Sequence, residues 1–200
     1  GKISYWNPAA ETIFGYKKQD VLGKDLHKTI APSRFHKPFH DGFELFKKTG
    51  DGAAVDETVE LMGIHKDGHE FPVELSLSSV ELEDEWHAIA IIRDISKRKE
   101  NETKLQTFSE AVKQNPNSVI ITDTQGQIEY VNPKFESLTG YTLEEVKGET
   151  PRILKSGEQS KEFYEELWST ITSGKTWHGQ FHNKKKNGEL YWEEAGISPI

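Results

Sequence analysis

An internal repeat constrains this chain more than any other feature. Residues 1–23, GKISYWNPAAETIFGYKKQDVLG, align without a gap on residues 126–148, GQIEYVNPKFESLTGYTLEEVKG, with ten identical positions. A second pair of segments also aligns: KDGHEFPVELSLSSV at 66–80 and KNGELYWEEAGISPI at 186–200. The repeat distance of 120 to 125 residues is far too long for a solenoid. The sequence therefore predicts two copies of one domain.

The second copy shows the order of elements most clearly. SVIIT and QIEYVN read as strands on either side of a DTQG turn, because the second of them alternates apolar and polar residues. Short helices follow at NPKFESLTGY and TLEEVKG, and a longer one at SKEFYEELWSTITSG. Two long strands then pair through Asn187-Gly188, as they do through Asp67-Gly68 in the first copy. This order predicts an α+β fold, an antiparallel sheet with helices on one face.

A charged stretch between the copies is predicted to be a helix. Leu105, Phe108 and Val112 are spaced three and four residues apart, which gives it one narrow apolar stripe. Such a stripe packs on its own domain or pairs with the same helix of a second chain. Both interpretations stay open at this point.

Composition excludes several classes of function. The net charge of −8 is spread over both copies, so neither offers a basic surface for nucleic acid. Without cysteine there is no disulfide, thiolate metal site or cysteinyl adduct with a ligand. No apolar run approaches the length of a membrane span, and no membrane contact by this segment is expected. The sequence contains no phosphate-binding loop, no serine elbow and no pair of metal-binding histidines on one helix, so no enzyme is predicted for this segment.

The HKDGH segment, residues 65–69, contains metal-ligand residue types but surrounds a hairpin turn. Because Asp-Gly is the signature of a tight turn, a hydrogen-bonded, solvated turn is the favoured interpretation, and no metal site is predicted. The basic KKK at 184–186 is interpreted in the same way, as a solvated hairpin end.

These motifs together resemble tandem PAS domains, the small sensory modules of bacterial signalling proteins. The resemblance is carried by YWNPAAETIFGY and YVNPKFESLTGY, by the two hairpins, and by RDISKRK at 93–99. It implies two five-stranded antiparallel sheets with short helices on one face, joined by a signalling helix. The expected boundaries are 1–96 for the first domain, 97–114 for the helix and 115–200 for the second domain. By comparison with the family, the first domain lacks its first strand and the second lacks its last.

Asn183 is the candidate binding residue of the second domain. It shares a strand face with Trp177 and Phe181, and a buried amide without partners costs about 1–3 kcal/mol. Its partner is either a backbone or water group near the hairpin end, or the complementary ring edge of a flavin. The second domain is similar to flavin-binding PAS domains of redox sensors. That resemblance implies a non-covalent FAD site with Trp168, Asn183 and Tyr191 at the flavin.

The first domain does not repeat this pattern. Gly63 stands where Asn183 does, and Phe71, Val73, Leu75 and Leu77 alternate along one strand face and are expected to fill the interior. Resemblance to PAS oxygen sensors makes His36 and His40 candidates for a heme ligand. The usual histidine column falls on Phe39, however, and heme is not favoured.

The sequence thus predicts a sensory input module of a signalling protein that is cytoplasmic or the cytoplasmic part of a larger receptor, with a homodimer as its expected assembly. The main prediction is FAD redox sensing in the second domain, relayed through the connecting helix. The alternative is a cofactor-free dimerisation and relay module, and a heme-binding gas sensor comes third. A histidine kinase or diguanylate cyclase would be the usual output domain further along the same chain.

Overall fold

The computed structural model describes all 200 residues, and the chain divides into two compact units, Gly1–Lys104 and Leu105–Ile200. The first unit contains four α-helices, a 3-10 helix at Ser33–Phe35 and three strands: α1 (Pro8–Phe14), α2 (Lys18–Val21), α3 (Leu26–Ile30), α4 (His36–Thr49), β1 (Thr58–Ile64), β2 (Glu70–Leu82) and β3 (Glu85–Asp94). Helix α5 (Ser96–Lys113) runs from the first unit into the second.

The second unit repeats the order with four strands, three α-helices and a 3-10 helix at Pro151–Leu154. In chain order its named elements are β4 (Ile120–Thr122), β5 (Ile128–Val131), α6 (Pro133–Thr139), α7 (Leu143–Val146), α8 (Lys161–Thr172), β6 (Trp177–Lys184) and β7 (Leu190–Ile197). The predicted α+β class is confirmed, and so are the three helices that the sequence places in this copy.

The sheets differ in detail from the five-stranded expectation. The first unit has a three-stranded antiparallel sheet in the order β1-β2-β3, and the second has two separate antiparallel pairs, β4-β5 and β6-β7. The segment at the start of the first copy, expected to be the family's second strand, forms no named strand. Ile3 bonds through its N–H to Lys24 O (2.9 Å) and through its carbonyl to Gly23 N (2.8 Å), as Ile128 does with Glu149 O and Gly148 N. Ile128 lies in a strand because β5 also pairs with β4, and Ile3 has no such strand beside it.

The repeated Asn-Pro pair is a helix start in both units. Asn7 caps α1 by accepting a hydrogen bond from Ala10 N at 2.8 Å, and Pro8 occupies the first turn, where no amide donor is needed. Asn132 does more. Its fully buried side chain accepts from Phe135 N (3.1 Å) and Val119 N (2.9 Å), and it donates to three carbonyls, those of Val112, Asn115 and Asn117.

Asn132 therefore ties the end of α5 to the start of α6 and to the chain entering β4. Each of its hydrogen bonds is made inside the protein, where an unpaired amide group is expensive. Around it, the second core gathers Ile128, Val131, Phe135, Val146 and Leu154. The first core is built in the same way from a larger set: Ile3, Trp6, Phe14, Val21, Ile30, Phe71 and Val73.

The start of α5 is fixed to the outer face of the first sheet. Asp94 accepts from both the backbone and the hydroxyl of Ser96 (2.8 and 2.6 Å), which caps the helix. Arg98 pairs with Glu60 (2.6 Å) and Glu74 (3.1 Å). Further along the helix, Leu105 and Phe108 are exposed. Those two positions of the predicted stripe therefore do not pack on either unit.

We predict that Asn132→Ala destabilises the second unit by at least about 2 kcal/mol, because it removes a cap and leaves several buried backbone groups unpaired. Asn7→Ala is the matched control and should cost the first unit about 1 kcal/mol, since Asn7 only caps. Peptide-resolved hydrogen exchange measures the protection of each unit separately. Equal losses of protection in the two variants would contradict the role given to Asn132.

Candidate functional site

The candidate site lies on the inner face of the β6-β7 hairpin. The two strands pair in regular antiparallel register, which places Asn183 directly opposite Tyr191 and Phe181 opposite Glu193. Since strand side chains alternate between faces, these four residues point to the same side of the sheet. Asn183 is 7% exposed, so the sequence-based prediction that its amide lies on the apolar side is confirmed.

The partner of the Asn183 amide is Glu193. Asn183 Nδ2 donates to Glu193 Oε2 at 3.0 Å, and the Tyr191 hydroxyl donates to the same oxygen at 3.4 Å. No donor within the chain bonds to Asn183 Oδ1. The sequence analysis missed Glu193 because it precedes a second glutamate and reads as a charged surface pair. Its distance of two residues from Tyr191 was the signal that placed it on the inner face.

Burial is the main cause of the pKa shifts of Glu193 and Tyr191. It raises the pKa of the Glu193 carboxyl, although the hydrogen bonds from Asn183 and Tyr191 act in the opposite direction. Burial, reinforced by the charge of Glu193, also raises the pKa of the Tyr191 hydroxyl, which is therefore neutral at physiological pH. The site thus combines an amide, a neutral phenol and a carboxyl group that holds its proton more tightly than a surface glutamate.

An aromatic wall continues the same face toward the start of β6. Phe163 of α8 stands edge-on to Trp177 and to Phe181, with ring centroids 5.2 Å apart in each pair. The Trp177 ring lies over Gly179, where a Cβ atom would come within 2.2 Å of it. Glycine is therefore required at that position for the ring to lie flat along the strand.

The segment after the 3-10 helix covers one edge of β6. Lys155 forms an antiparallel bridge with Asn183, and the Ser156 hydroxyl donates to the His182 carbonyl. On the outer face, the His182 ring hydrogen-bonds to Glu158 and stacks on Trp192 at 4.5 Å. These contacts hold the backbone of Asn183 while leaving its side chain on the inner face.

The equivalent place in the first unit is apolar. The repeat alignment pairs Asn183 with Gly63. It also pairs Tyr191 with Phe71 and Glu193 with Val73. A Cβ atom on Gly63 would lie 3.2 to 3.3 Å from the side chains of three residues, namely Phe14, Phe71 and Val73. Phe71 and Val73 are both buried, as the sequence predicts. One hairpin thus carries a polar set where its counterpart carries packed hydrocarbon.

Trp168, the third candidate residue, is not brought to this group. It is 45% exposed, and its ring tip lies 3.5 Å from where a Cβ on Gly126 would stand, at the β4-β5 turn. No hydrogen bond or ring contact joins its indole to Asn183 or Tyr191. Leu167, its neighbour on α8, takes the buried position instead.

The candidate heme ligands lie in the first unit around a cavity of about 550 Å³, which is lined by His27, His36, Phe39, His40 and Phe43, among others. His36 Nε2 hydrogen-bonds to the Ala31 carbonyl at 2.8 Å, and His40 is exposed. Burial lowers the pKa of His27 to about 4, so this ring is neutral and stacks on Phe39. An iron ligand is usually oriented by a hydrogen bond from its second ring nitrogen to a carboxylate, a backbone carbonyl or water, and His36 has such a bond to a backbone carbonyl.

The donors and acceptors of the hairpin fit the ring edge of a flavin. The pyrimidine edge of such a ring alternates N–H and carbonyl groups, and it needs both an acceptor and a donor. Asn183 Oδ1 has no protein donor, while one proton of Nδ2 remains after the bond to Glu193. The half-buried Tyr191 extends the same polar face. Asn183 and Tyr191 would therefore hold the ring edge.

Comparison with known proteins identifies the class. The chain consists of two α+β sensory domains, and residues 1–97 and 116–200 each match the family described as PAS domain. The chain belongs to the PAS domain family. It is a tandem of two such sensory domains, as the sequence resemblance implies.

Its curated relatives are sensor and regulatory proteins. The oxygen sensor protein DosP of Escherichia coli is 27% identical over 205 residues, which cover all of this chain and 25% of that protein. A nitrogen fixation regulatory protein of Klebsiella oxytoca is 34% identical over 93 residues, or 46% of this chain and 19% of the relative. The aerotaxis receptor of E. coli is 33% identical over 79 residues, or 40% of this chain and 16% of the receptor.

Among solved structures, the PAS domain of a Colwellia psychrerythraea protein is 26% identical, with a TM-score of 0.46 over 48% of this chain and 82% of that one. The chain spans a quarter or less of the length of the curated relatives named above. None of its helices is both long and apolar enough to cross a membrane.

We predict that stability of the second unit falls as pH rises through the raised pKa of Glu193. The folded state keeps a proton there that the unfolded chain has already released, so raising the pH favours unfolding. Glu193→Gln removes this dependence and retains an oxygen for Asn183 Nδ2. Its advantage over the wild type should be smallest at about pH 4, should grow as the pH rises through the raised pKa of Glu193, and should then level off.

Glu194→Gln is the matched control, because Glu194 is the next residue and lies on the exposed face. Hydrogen exchange of β6 and β7 amides, measured across this pH range, reads out the effect. The assignment fails if the two variants show the same pH dependence.

Proposed function

We propose that the second PAS domain binds FAD non-covalently and senses redox state, with Asn183 and Tyr191 at the ring edge and Glu193 behind the amide. The observation that carries the proposal is the Asn183 amide, which is 7% exposed on the inner face and presents an oxygen that no donor of the chain occupies. An N–H donor on the ring edge of a ligand would complete it. The first domain, which has Gly63 at the same place, offers no such group.

Glu193 gives the site a way to respond. When bound, a flavin supplies a redox couple whose reduction adds protons and alters the hydrogen bonds at the ring edge. The ionised carboxylate of Glu193 accepts from Asn183 Nδ2, which leaves Oδ1 facing away from the carboxylate. A protonated Glu193 would donate to Oδ1 and reverse the amide. Proton uptake at this pair would thus exchange the donor and acceptor that the ring edge meets.

The connecting helix supplies a route for the signal. Asn132 Nδ2 donates to the carbonyl of Val112 at 3.2 Å, so the end of α5 is bonded to the core of the sensing domain. The other end is held by Arg98 on the first sheet. A shift in the second domain would therefore bias the arrangement of α5. A cytoplasmic location and an output domain such as a histidine kinase or diguanylate cyclase belong to the same proposal.

The test is FAD binding. We expect the purified chain to show flavin absorption bands near about 370 and 450 nm, or to acquire them on titration with FAD. Asn183→Ala should weaken binding roughly five- to 150-fold, the equivalent of about 1–3 kcal/mol for an unpaired buried group. Trp168→Ala should have a smaller effect, since its indole lies at the Gly126 turn.

Gln180→Ala is the control on the same strand, because Gln180 is exposed on the outer face. It should leave FAD affinity unchanged. A colourless chain that does not take up FAD, or equal affinity in the Asn183 and Gln180 variants, would rule the proposal out.

A second candidate function is cofactor-free dimerisation and relay, and the exposed stripe on α5 favours it. Leu105 and Phe108 lie one helical turn apart and are both exposed, a spacing suited to pairing with the same helix of a second chain. Dimerisation and FAD binding are compatible, so each needs its own test.

We predict that Leu105→Glu with Phe108→Glu shifts the chain toward a monomer, because like charges would meet across the helix pair. Sedimentation equilibrium at several concentrations measures the shift. Gln106→Glu is the control for added charge on the same helix and should not change the mass. A wild-type chain that remains monomeric at all concentrations would contradict this second function.

A further inference from the structure

The β1-β2 turn of the first unit brings together three side chains that can bind metal ions, those of His65, Asp67 and His69. His69 Nδ1 lies 2.6 Å and His65 Nδ1 3.0 Å from the same oxygen, Oδ1 of Asp67. The ligand atoms of the three residues all lie within 4.8 Å of one another. The sequence favours a simple solvated turn here, because spacing alone does not show that both rings aim at one carboxylate.

The turn itself does not require the two histidines. In the second unit the same backbone turn forms with Lys185, Asn187 and Glu189 at the equivalent positions. The closing backbone bond is 2.9 Å from His65 N to His69 O and 2.8 Å from Lys185 N to Glu189 O. There the flanking side chains form an ordinary ion pair of 2.8 Å. The fold can therefore be closed without any imidazole.

The position of His65 is fixed before any ion binds. Its ring lies against Gly15, the left-handed residue that ends α1, where a Cβ atom would come within 2.2 Å of Nε2. The neighbouring Lys66 N bonds to Phe14 O at 3.0 Å. With Nε2 turned toward Gly15, the Nδ1 atom faces the turn. Asp67 and His69 are exposed, which leaves the point of convergence open to solvent.

We propose that His65, Asp67 and His69 form a binding site for a first-row transition-metal ion such as Zn²⁺. Two imidazole nitrogens and one carboxylate oxygen are a usual ligand set for such ions, whereas Mg²⁺ and Ca²⁺ prefer oxygen alone. A tetrahedral ion with bonds of about 2.0–2.2 Å would hold these atoms about 3.3–3.6 Å apart. Binding would lengthen the present separations of 2.6 and 3.0 Å to Asp67 Oδ1 and would turn the two stacked rings toward the ion.

The ion would replace the hydrogen bonds between the rings and Asp67, and each ring would carry its proton on Nε2. Three protein ligands leave one tetrahedral position for water or for a ligand from another molecule. The hydrogen bonds to His65 and His69 keep the pKa of Asp67 below its ordinary value, so this ligand is already ionised. The bound ion would clamp the β1-β2 turn in the way that the Lys185–Glu189 pair clamps the other hairpin.

The test is calorimetric titration of the 200-residue chain with ZnCl₂. We expect one Zn²⁺ per chain at this site. The triple variant His65→Lys, Asp67→Asn, His69→Glu transplants the second hairpin's residues and so should fold. It should weaken zinc binding at least about tenfold, because both imidazoles and the Asp67 carboxylate are lost and the carboxylate introduced at position 69 pairs with the lysine, as Glu189 does with Lys185.

His87→Gln and His178→Gln are the controls, because both histidines are exposed and stand outside the cluster. They should leave affinity and stoichiometry unchanged. Visible absorption of bound Co²⁺, lost in the triple variant alone, would support tetrahedral coordination by these residues. Zinc affinity that is unchanged in the triple variant, or no binding to the wild type at about 100 µM, would overturn the proposal.

Discussion

The register of two hairpins decides what each PAS domain encloses. Asp67-Gly68 and Asn187-Gly188 place the turn at the same point, and a slip of one residue would exchange every inward side chain for its outward neighbour. Each hairpin is also hydrogen-bonded to the end of the helix that starts at the Asn-Pro pair: Lys66 N bonds to Phe14 O at the end of α1, and Lys186 N to Thr139 O at the end of α6. Turn and anchor together fix which side chains enter the interior.

With the backbone fixed in this way, three facing positions differ in chemistry between the two hairpins, namely 63, 71 and 73 in the first and 183, 191 and 193 in the second. The first domain packs Phe71 and Val73 over Gly63, and hydrocarbon fills the space. The second places an amide, a phenol and a carboxyl group there. Hydrocarbon burial at these positions is favourable, whereas a buried carboxyl costs free energy until it is paired or protonated. The first domain shows that the fold closes without the polar set.

The sequence predicted the elements well because they depend on local chemistry. Asn-Pro starts, glycine stops and Asn-Gly turns are properties of short segments, so α6, α7, α8 and the long hairpins were predictable. Contacts between distant segments were not predictable from the sequence. The exposure of Trp168, the bonding of Ile3 to the loop after α2 and the convergence of His65 and His69 depend on how elements meet. Glu193 was accessible from strand alternation, but its pairing with Asn183 required the register.

The geometry of Asn183 also bears on how one half-buried carboxyl would serve the proposed sensing site. An amide is asymmetric, and in the proposed redox site the protonation state of Glu193 would select which end of Asn183 faces the interior. Because burial has already raised the pKa of Glu193, the ionised and protonated forms are closer in free energy at neutral pH than they are on a surface. On the proposed function, a change in charge or hydrogen bonding near the amide would then reverse the Asn183–Glu193 pair. The valine at position 73 of the first domain has neither a second protonation state nor a hydrogen bond to exchange.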